Sequence, residues 1–529
     1  MNAAVTQRLT FPIGPLLLLA AMTAVALATR PITPIDETRY VSVAWEMWLR
    51  GDYLVMFKNG APYSHKPPLL FWLINLGWAV TGVNEWWPRL VSPLFSLGGL
   101  LLTLSIGRRL WPGDGDTHRN AVWILAASLL WMLFSTSTMF DVMLAFFVLL
   151  GLRGLLVAAD GAMRRGFTWL AVSIGLGILA KGPVVLLHLL PVAVLAPWWR
   201  PGLPWKRWAA GIVLAVLGGA AIALAWAIPA AIQGGAEYRR MIFWGQTADR
   251  MVDSFAHRRP FWWYLPLLPV LLYPWLVWTA LWRRVAALRG EGLESGLRFC
   301  LAWMLPVFLA FSMISGKQVH YLVPLFPAFA LFAGRLIRHE TRGGPWLPAL
   351  LAGAAGGVML YLAYAPKPAD VASWQDFPAW PGIVLMIVAA LAVWLGRQAG
   401  RRLPALALLS ATGLAMIQFY AAENVWLRYD IRPIAGKIGK LQAQGVAVAN
   451  HGTYHAQYQF LGRLRQPLDQ VSTAEEIKAW FDRHPGGVGV FYTKDVPGAS
   501  ARFRQPYRGE SAMLLDAEQA RAWGYSPAR

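Results

Sequence analysis

Residues 34–68 read PIDETRYVSVAWEMWLRGDYLVMFKNGAPYSHKPP, and apolar sequence flanks them on both sides. Asp36, Glu37, Arg39 and Tyr40 open the stretch; Tyr63, His65 and Lys66 close it. Carboxylates and cations massed beside a bilayer are costly, so groups kept there have a task. Their mixture suits a site that grips an anionic, phosphate-bearing substrate. A solvated interfacial loop is the plainer reading, and the density of charge speaks against it. Asp36 and Glu37 are adjacent, so on a regular element they diverge: one faces substrate while the other anchors the loop to Arg39 or a neighbouring helix. Pro67-Pro68 stiffen the backbone just after Lys66, which limits where that ammonium points.

The rest of the chain explains why this stretch stands out. Of 529 residues 57% are hydrophobic and only 14% charged, against about 25% charged in soluble proteins. Apolar runs of membrane-spanning length recur near 11–29, 88–107, 120–138, 141–159, 166–180, 182–199, 208–231, 261–282, 297–315, 319–338, 346–364, 381–396 and 403–421, about thirteen helical spans by length. Residues 69–80 are apolar but short, which predicts an interfacial helix. The 29 Trp fit the aromatic belts of a membrane protein. The net charge of +21 arises from clusters between apolar runs, which is a topology signal and not a nucleic-acid groove. One cysteine, Cys300, excludes an internal disulfide. The first apolar run lacks a clear cleavage site and reads as an uncleaved helix.

Arg108-Arg109, Arg164-Arg165, Arg200 with Lys206-Arg207, Arg283-Arg284, Arg335 with Arg338, and Arg397 with Arg401-Arg402 fall on alternate loops. The positive-inside rule makes those loops cytoplasmic. The opposite face then carries 30–87, the turn before Asp141, Lys181, 232–260, 315–319, 365–380 and everything after Ala421. Asp36, Glu37, Lys66, Asp141, Lys181, His257, Lys317 and Tyr321 all map to that face, which points to one extracytoplasmic site. Asp141 starts an apolar helix, where a capping role is equally natural. Lys181 sits in an apolar neighbourhood, and Lys317 and Tyr321 are one helical turn apart, although snorkelling at the interface is the plainer account of that pair. His65 and His257 are the candidate ligands for a divalent metal such as zinc. No Walker loop, Rossmann glycine pattern, HExxH or GxSxG element occurs.

From about residue 422 the chain becomes more charged and predicts a small α/β domain through 529. Its expected helices are Ile434–Gln444 and Ala474–Arg483, and its expected strands Val446–Asn450 and Gly487–Tyr492. His451, Tyr454 and His455 read as a solvated turn between strand and helix.

PIDETRY (34–40), EMWLRGDY (46–53), NGAPYSHKPPLLFWL (59–73), NEWWPRL (84–90), LAKGPV (179–184) and SGKQVHYLVPLFPAFAL (315–331) resemble the bacterial aminoarabinose–lipid A transferase family. The resemblance runs through most of residues 1–421 and is strongest in 30–87. It implies a polytopic α-helical GT-C fold, distantly similar to protein O-mannosyltransferases. It also implies transfer of a sugar from undecaprenyl phosphate to a lipid A phosphate at the periplasmic face of the bacterial inner membrane. Asp36 matches the family's essential outer-loop acid and Asp141 its second acidic position, with Glu37 grouped beside them. Arg39, Tyr40, Tyr63, Lys66 and Tyr321 match residues lining the polyprenyl phosphate pocket, to which Lys181 and Lys317 add cations. The family often has an acid before the Lys of KPP; His65 stands there in this chain. Rival expectations are transfer to protein hydroxyls or another glycan, and a lipid transporter or flippase. A flippase would place charges deep within spans, and here they gather at one side.

Overall fold

The computed structural model describes residues 12–245, 258–338, 342–365, 377–422, 425–494 and 501–524. Among these, the stretch that reads as a polar loop holds a helix over its first half and a short hairpin after it. Helix α1 (Ile13–Thr29) leads into α2 (Asp36–Arg50), and α3 (Leu69–Thr81) and α4 (Trp86–Leu110) follow. Helix α2 stops where Gly51 takes a left-handed conformation, φ +65°, and its N–H closes on Met47 O at 3.0 Å. Glycine reaches that conformation without a Cβ penalty. Strands β1 (Phe57–Lys58) and β2 (Ala61–Pro62) then form a hairpin across Asn59-Gly60, both at positive φ (52° and 80°). Asn-Gly is the strongest two-residue hairpin signal because a type I′ turn needs positive φ twice.

The membrane portion is mostly helical, and seven described helices are long and apolar enough to cross a bilayer. They are Trp86–Leu110, Asp141–Ala159, Trp205–Gln233, Ser295–Met313, Val319–Leu336, Trp346–Tyr364 and Ala399–Ala422. Shorter apolar helices cover Ile13–Thr29, Leu69–Thr81, Val184–Val194 and Trp380–Leu395. Several expected spans are not single helices, and two are interrupted most clearly. Residues 120–138 divide into α5 (Gly115–Ala127) and α6 (Leu129–Ser135), with Ser128 extended between them and Leu129 N–H turned to Tyr273 O at 3.2 Å. Residues 261–282 form short helical turns only, until a helix starts at Thr279. Pro266, Pro269 and Pro274 each remove a donor from that stretch.

Helix α7 (Asp141–Ala159) packs along α8 (Met163–Lys181), which packs in turn along Trp205–Gln233. The α7–α8 crossing is backbone on backbone: a methyl at Gly166 would meet Ala158 N at 2.4 Å and Gly154 O at 2.5 Å. Helix α9 (Val184–Val194) follows α8 after a break at Gly182-Pro183, so the runs around Lys181 are two helices. The basic clusters meet at one end of the bundle. There Arg109 and Arg200 both reach Asp160, and Arg335 joins Asp114 and Glu294.

Beyond residue 430 a five-stranded sheet has the order β4-β3-β5-β7-β6. Strands β3 (Val448–His451), β4 (Asp469–Val471) and β5 (Val488–Thr493) run parallel, and β6 (Phe503–Tyr507) and β7 (Glu510–Leu515) complete it antiparallel. Parallel neighbours require crossovers; Ala474–Arg483 supplies one, opened by a capping box between Thr473 and Glu476. Both expected helices and both expected strands are present with end shifts of a few residues, whereas β4, β6 and β7 went unread.

Candidate active site

Four backbone features converge at the bundle end opposite the basic clusters. They are the N-terminus of α2, the hairpin and KPP segment after it, the start of α7, and the segment Val319–Leu325. Two neighbouring acids begin α2, and their surroundings diverge at once. Glu37 is buried, with a side chain 5% exposed, and faces Arg30 at 3.3 Å. Its carboxylate also accepts from Thr33 N–H (3.0 Å), Thr33 Oγ1 (2.5 Å) and Thr138 N–H (2.6 Å). Burial pushes Glu37 upward, but the Arg30 guanidinium and these donors outweigh it and hold the carboxyl below its usual range. Arg30 in turn donates to Ser137 Oγ at 3.0 Å and Thr136 O at 2.5 Å. Glu37, grouped with the catalytic acids from sequence, thus anchors the loop to the turn before α7 with both carboxylate oxygens occupied.

Asp36 is the acid that faces out. Its side chain is 52% exposed, pairs with Arg39 one turn on, and accepts from Tyr40 Oη at 3.3 Å. The adjacent pair thus splits into one anchor and one reachable carboxylate.

Asp141 is 1% exposed and is ion-paired with Lys181 at the end of α8. The Lys181 ammonium lies 5.2 Å from the Tyr321 ring centroid, a cation–π distance. Lys66 lies 5.7 Å from the Phe140 ring, and Phe140 meets Tyr40 edge-on at 4.8 Å. Tyr63 is buried, stacks on His65 at 5.4 Å and feels the Arg39 charge. Asp36, Arg39, Tyr40, Tyr63, Lys66, Asp141, Lys181 and Tyr321 are thereby linked in one patch, although they span 36 to 321 in sequence.

Lys317 departs from expectation. It is 3% exposed and its ammonium donates to Arg259 O at 3.1 Å and to Ile314 O, the carbonyl just past the helix Ser295–Met313. A cation capping helix-end carbonyls is a structural staple. His320, three residues on, is the residue the sequence reading passed over. It packs on Tyr321 at 4.8 Å and Phe134 at 5.6 Å, and the charges nearest it are Asp141, Lys181, Lys66 and Asp36. Its place beside Tyr321 was the available signal.

The expected metal ligands do not make a site among the described residues. His65 is exposed, His257 lies outside the described residues, and no group of three or more His, Cys, Asp or Glu converges. A bound zinc ion needs three or four such ligands, and among the described residues no such set is gathered.

The family model for dolichyl-phosphate-mannose-protein mannosyltransferase matches residues 65–232. An undecaprenyl phosphate-α-4-amino-4-deoxy-L-arabinose arabinosyl transferase from Pseudomonas aeruginosa is 34% identical over 304 residues, 54% of this chain and 52% of that protein. A counterpart from Edwardsiella ictaluri is 30% identical over 293 residues, with 54% and 52% covered. The chain thus spans about half the length of the curated relatives it matches. In structure, ArnT from Cupriavidus metallidurans, solved bound to undecaprenyl phosphate, superposes with TM-score 0.76 at 20% identity, covering 96% of this chain and 99% of that one. This chain is thus similar in sequence to the aminoarabinose transferases over about half its length, and it shares the fold of ArnT over nearly all of it.

Proposed function

We propose that this protein is an inner-membrane glycosyltransferase that moves aminoarabinose or a related sugar from undecaprenyl phosphate to a lipid A phosphate. The observation that carries the reading is the gathering of Arg39, Lys66 and Lys181 around Asp36 and Asp141 at one end of an apolar bundle. The names of its sequence relatives supply the sugar and the carrier.

The chemistry asks little proton transfer of the protein. An acceptor phosphate oxygen attacks the anomeric carbon, and the bond from that carbon to the carrier phosphate oxygen breaks. The electron pair leaves with undecaprenyl phosphate, which becomes a monoester dianion as the acceptor becomes a diester. Charge moves from one phosphate to the other, so neither a general acid nor a general base is essential. Catalysis is then alignment of two anions and stabilisation of charge on the leaving one. Lys66, Lys181 and Arg39 serve that purpose. Asp36, half exposed, orients the sugar or its amino group. Asp141, sealed against Lys181, acts through that lysine by fixing where its ammonium points.

The architecture that goes with this reading has about thirteen spans, a transmembrane unit over 1–421 with its catalytic first loop at 30–87, and a periplasmic α/β domain over 422–529. The hydrogen bonds between the sheet region and the first loop support a common side of the membrane. For example, Trp45 Nε1 donates to Leu464 O at 2.8 Å. A second reading, transfer to a protein hydroxyl, is favoured by the mannosyltransferase family match over 65–232; there Asp36 would be the general base. Mass spectrometry of lipid A from cells with the gene, without it, and with Asp36→Ala decides between them. A sugar-sized increment that needs both gene and Asp36 supports the lipid A reading. Unchanged lipid A in every arm, with donor present, overturns it.

A further inference from the structure

The basic end of the bundle holds a cavity that lies apart from the proposed transfer site. Its volume is about 360 Å³, and its walls come from the helix Thr279–Glu291, the start of the helix Ser295–Met313 and the end of the helix Phe326–Leu336. Small-ligand sites occupy ~300–1,000 Å³, so the space is large enough to matter. Arg284, Arg298, Arg335 and Arg338 line it, and Glu294 is the one carboxylate among its lining residues.

Cations at one end of a membrane bundle follow from topology alone, but topology does not require them to converge on a shared space. Here main-chain carbonyls hold two of the guanidinium groups in place. Arg284 Nε donates to Leu336 O at 3.0 Å, Arg298 Nε to Leu293 O at 2.7 Å, and Arg298 Nη1 to Trp198 O at 3.3 Å. A neutral carbonyl fixes position without cancelling charge. Arg335 is different, because all three of its nitrogens go to acids: Nε and Nη2 to Glu294 (2.5 and 2.8 Å) and Nη1 to Asp114. Arg338 approaches the same Asp114 oxygen at 3.6 Å, beyond hydrogen-bond distance. Four cations against Asp114 and Glu294 leave this group of described residues net positive. The helix Ser295–Met313 also starts here without a side-chain cap, so its positive end adds to the field.

The surroundings place the cavity at the level of lipid headgroups. Trp198, whose carbonyl holds Arg298, is exposed, and so is Trp282, two residues before Arg284. Exposed Trp on membrane helices marks the headgroup zone, where one end of the ring is apolar and the other wet. Basic pockets between spans at that level suit lipid phosphates. We propose that this cavity binds the headgroup phosphate of an anionic phospholipid, gripped by Arg284, Arg298 and Arg338 while the Arg335–Glu294–Asp114 network shapes its wall. The planar guanidinium forks supply charge-assisted hydrogen bonds to the phosphate. A lipid held there bridges three helices at the end of the bundle opposite the Asp36–Lys181 patch, and the assignment does not depend on the transferase reading.

The test uses the full chain in a neutral detergent, with native mass spectrometry reading the lipid bound. The probes are phosphatidylglycerol, phosphatidylcholine with the same acyl chains, and inorganic phosphate as a competitor. Wild type is expected to hold phosphatidylglycerol about tenfold more tightly than phosphatidylcholine, the size of one charge-assisted contact. Arg298→Gln and Arg338→Gln should each cut that preference to about threefold or less, and Arg298→Lys should keep part of it. Arg109→Gln, at the same end but paired with Asp160 and not lining the cavity, should keep the full preference. Unfolding temperatures show which variants fold, and the wild-type comparison stands without them. Equal affinity of wild type for the two lipids overturns the proposal. So does full preference in a folded Arg298→Gln or Arg338→Gln variant, or an equal loss in Arg109→Gln. Displacement of phosphatidylglycerol by millimolar inorganic phosphate would assign the cavity to a soluble phosphate and overturn the lipid.

Discussion

Asp36 and Glu37 differ by one methylene and one position, yet the fold gives them opposite environments. Glu37 is locked to Arg30 and to donors at 33 and 138, whereas Asp36 is half exposed beside Arg39. Asp36→Ala should abolish transfer and leave the unfolding temperature in detergent nearly unchanged. Glu37→Gln removes the anion from a buried pair, which costs roughly 3–5 kcal/mol when one partner is left behind. It should lower that temperature by several degrees. The pH dependence follows from the sign of the shift. A carboxyl depressed in the folded state contributes stability fully above its unfolded value near 4.5 and loses it as pH falls through the lower folded value. Thermal scans from pH 7 to pH 3 should show an acid-side loss in wild type that is shallower in Glu37→Gln. Equal slopes would mean that Glu37 is not held as an anion.

The Lys181–Asp141 pair invites a different comparison, because it is both buried and beside the reacting groups. Lys181→Met should lower activity and stability together, since it strands the Asp141 charge. Adding Asp141→Asn should return most of the stability without returning activity, the non-additivity expected of a coupled pair. Recovery of activity in the double variant would show that the two residues only hold the fold.

At the scale of elements, the hairpin and α2 show what the sequence could and could not convey. Asn59-Gly60 between short extended runs was a legible turn signal, but the charged residues around it favoured reading a loop. Helix α2 is hard to see because it is buried on nearly every side and its polar residues have partners in distant segments. Ser42 meets Phe460 N–H, and Glu46 holds the hairpin turn. Periodicity identifies a helix with one apolar face, and α2 carries that signal, but its concentration of charged residues draws the reading toward a loop. The site itself was legible as residue types on one face. Asp36, Lys66, Asp141 and Lys181 could be listed from span length and Arg placement alone. Which acid is anchored and that Lys317 caps a helix depend on side-chain packing that sequence alone does not display. The seam between the hairpin and the sheet region can be tested through Asn59→Ala, which deletes three hydrogen bonds to residues 459 and 468. It should speed limited proteolysis of the C-terminal region and lower transfer, while undecaprenyl phosphate binding persists. Unchanged proteolysis would show that Phe460 and Trp45 hold the seam without it.

At the scale of the whole molecule, the polar residues and the basic clusters occupy opposite ends of one apolar bundle. The Arg335 cluster with Asp114 and Glu294 marks one end, and the Asp36–Lys181 patch marks the other. The interrupted segments 115–135 and 261–278 show why counting apolar runs overstates the number of unbroken helices. A run keeps its apolar composition when Ser128 or a series of prolines breaks its helix. Alternation of sides is a stronger inference than the count, because it rests on charge placement, and it can be tested directly. Cys300, the single cysteine, is 0% exposed and gives a silent background for thiol labelling. Thr453→Cys lies on an exposed position of the β3–β4 connection, and Arg165→Cys lies on an exposed position in the first turn of α8. In spheroplasts, a membrane-impermeant maleimide should label Thr453→Cys at once and Arg165→Cys only after the membrane is opened with detergent. Labelling of Arg165→Cys in intact spheroplasts, with Thr453→Cys protected, would invert the topology. It would place the Asp36 patch in the cytoplasm, where a lipid A acceptor on the outer face is out of reach.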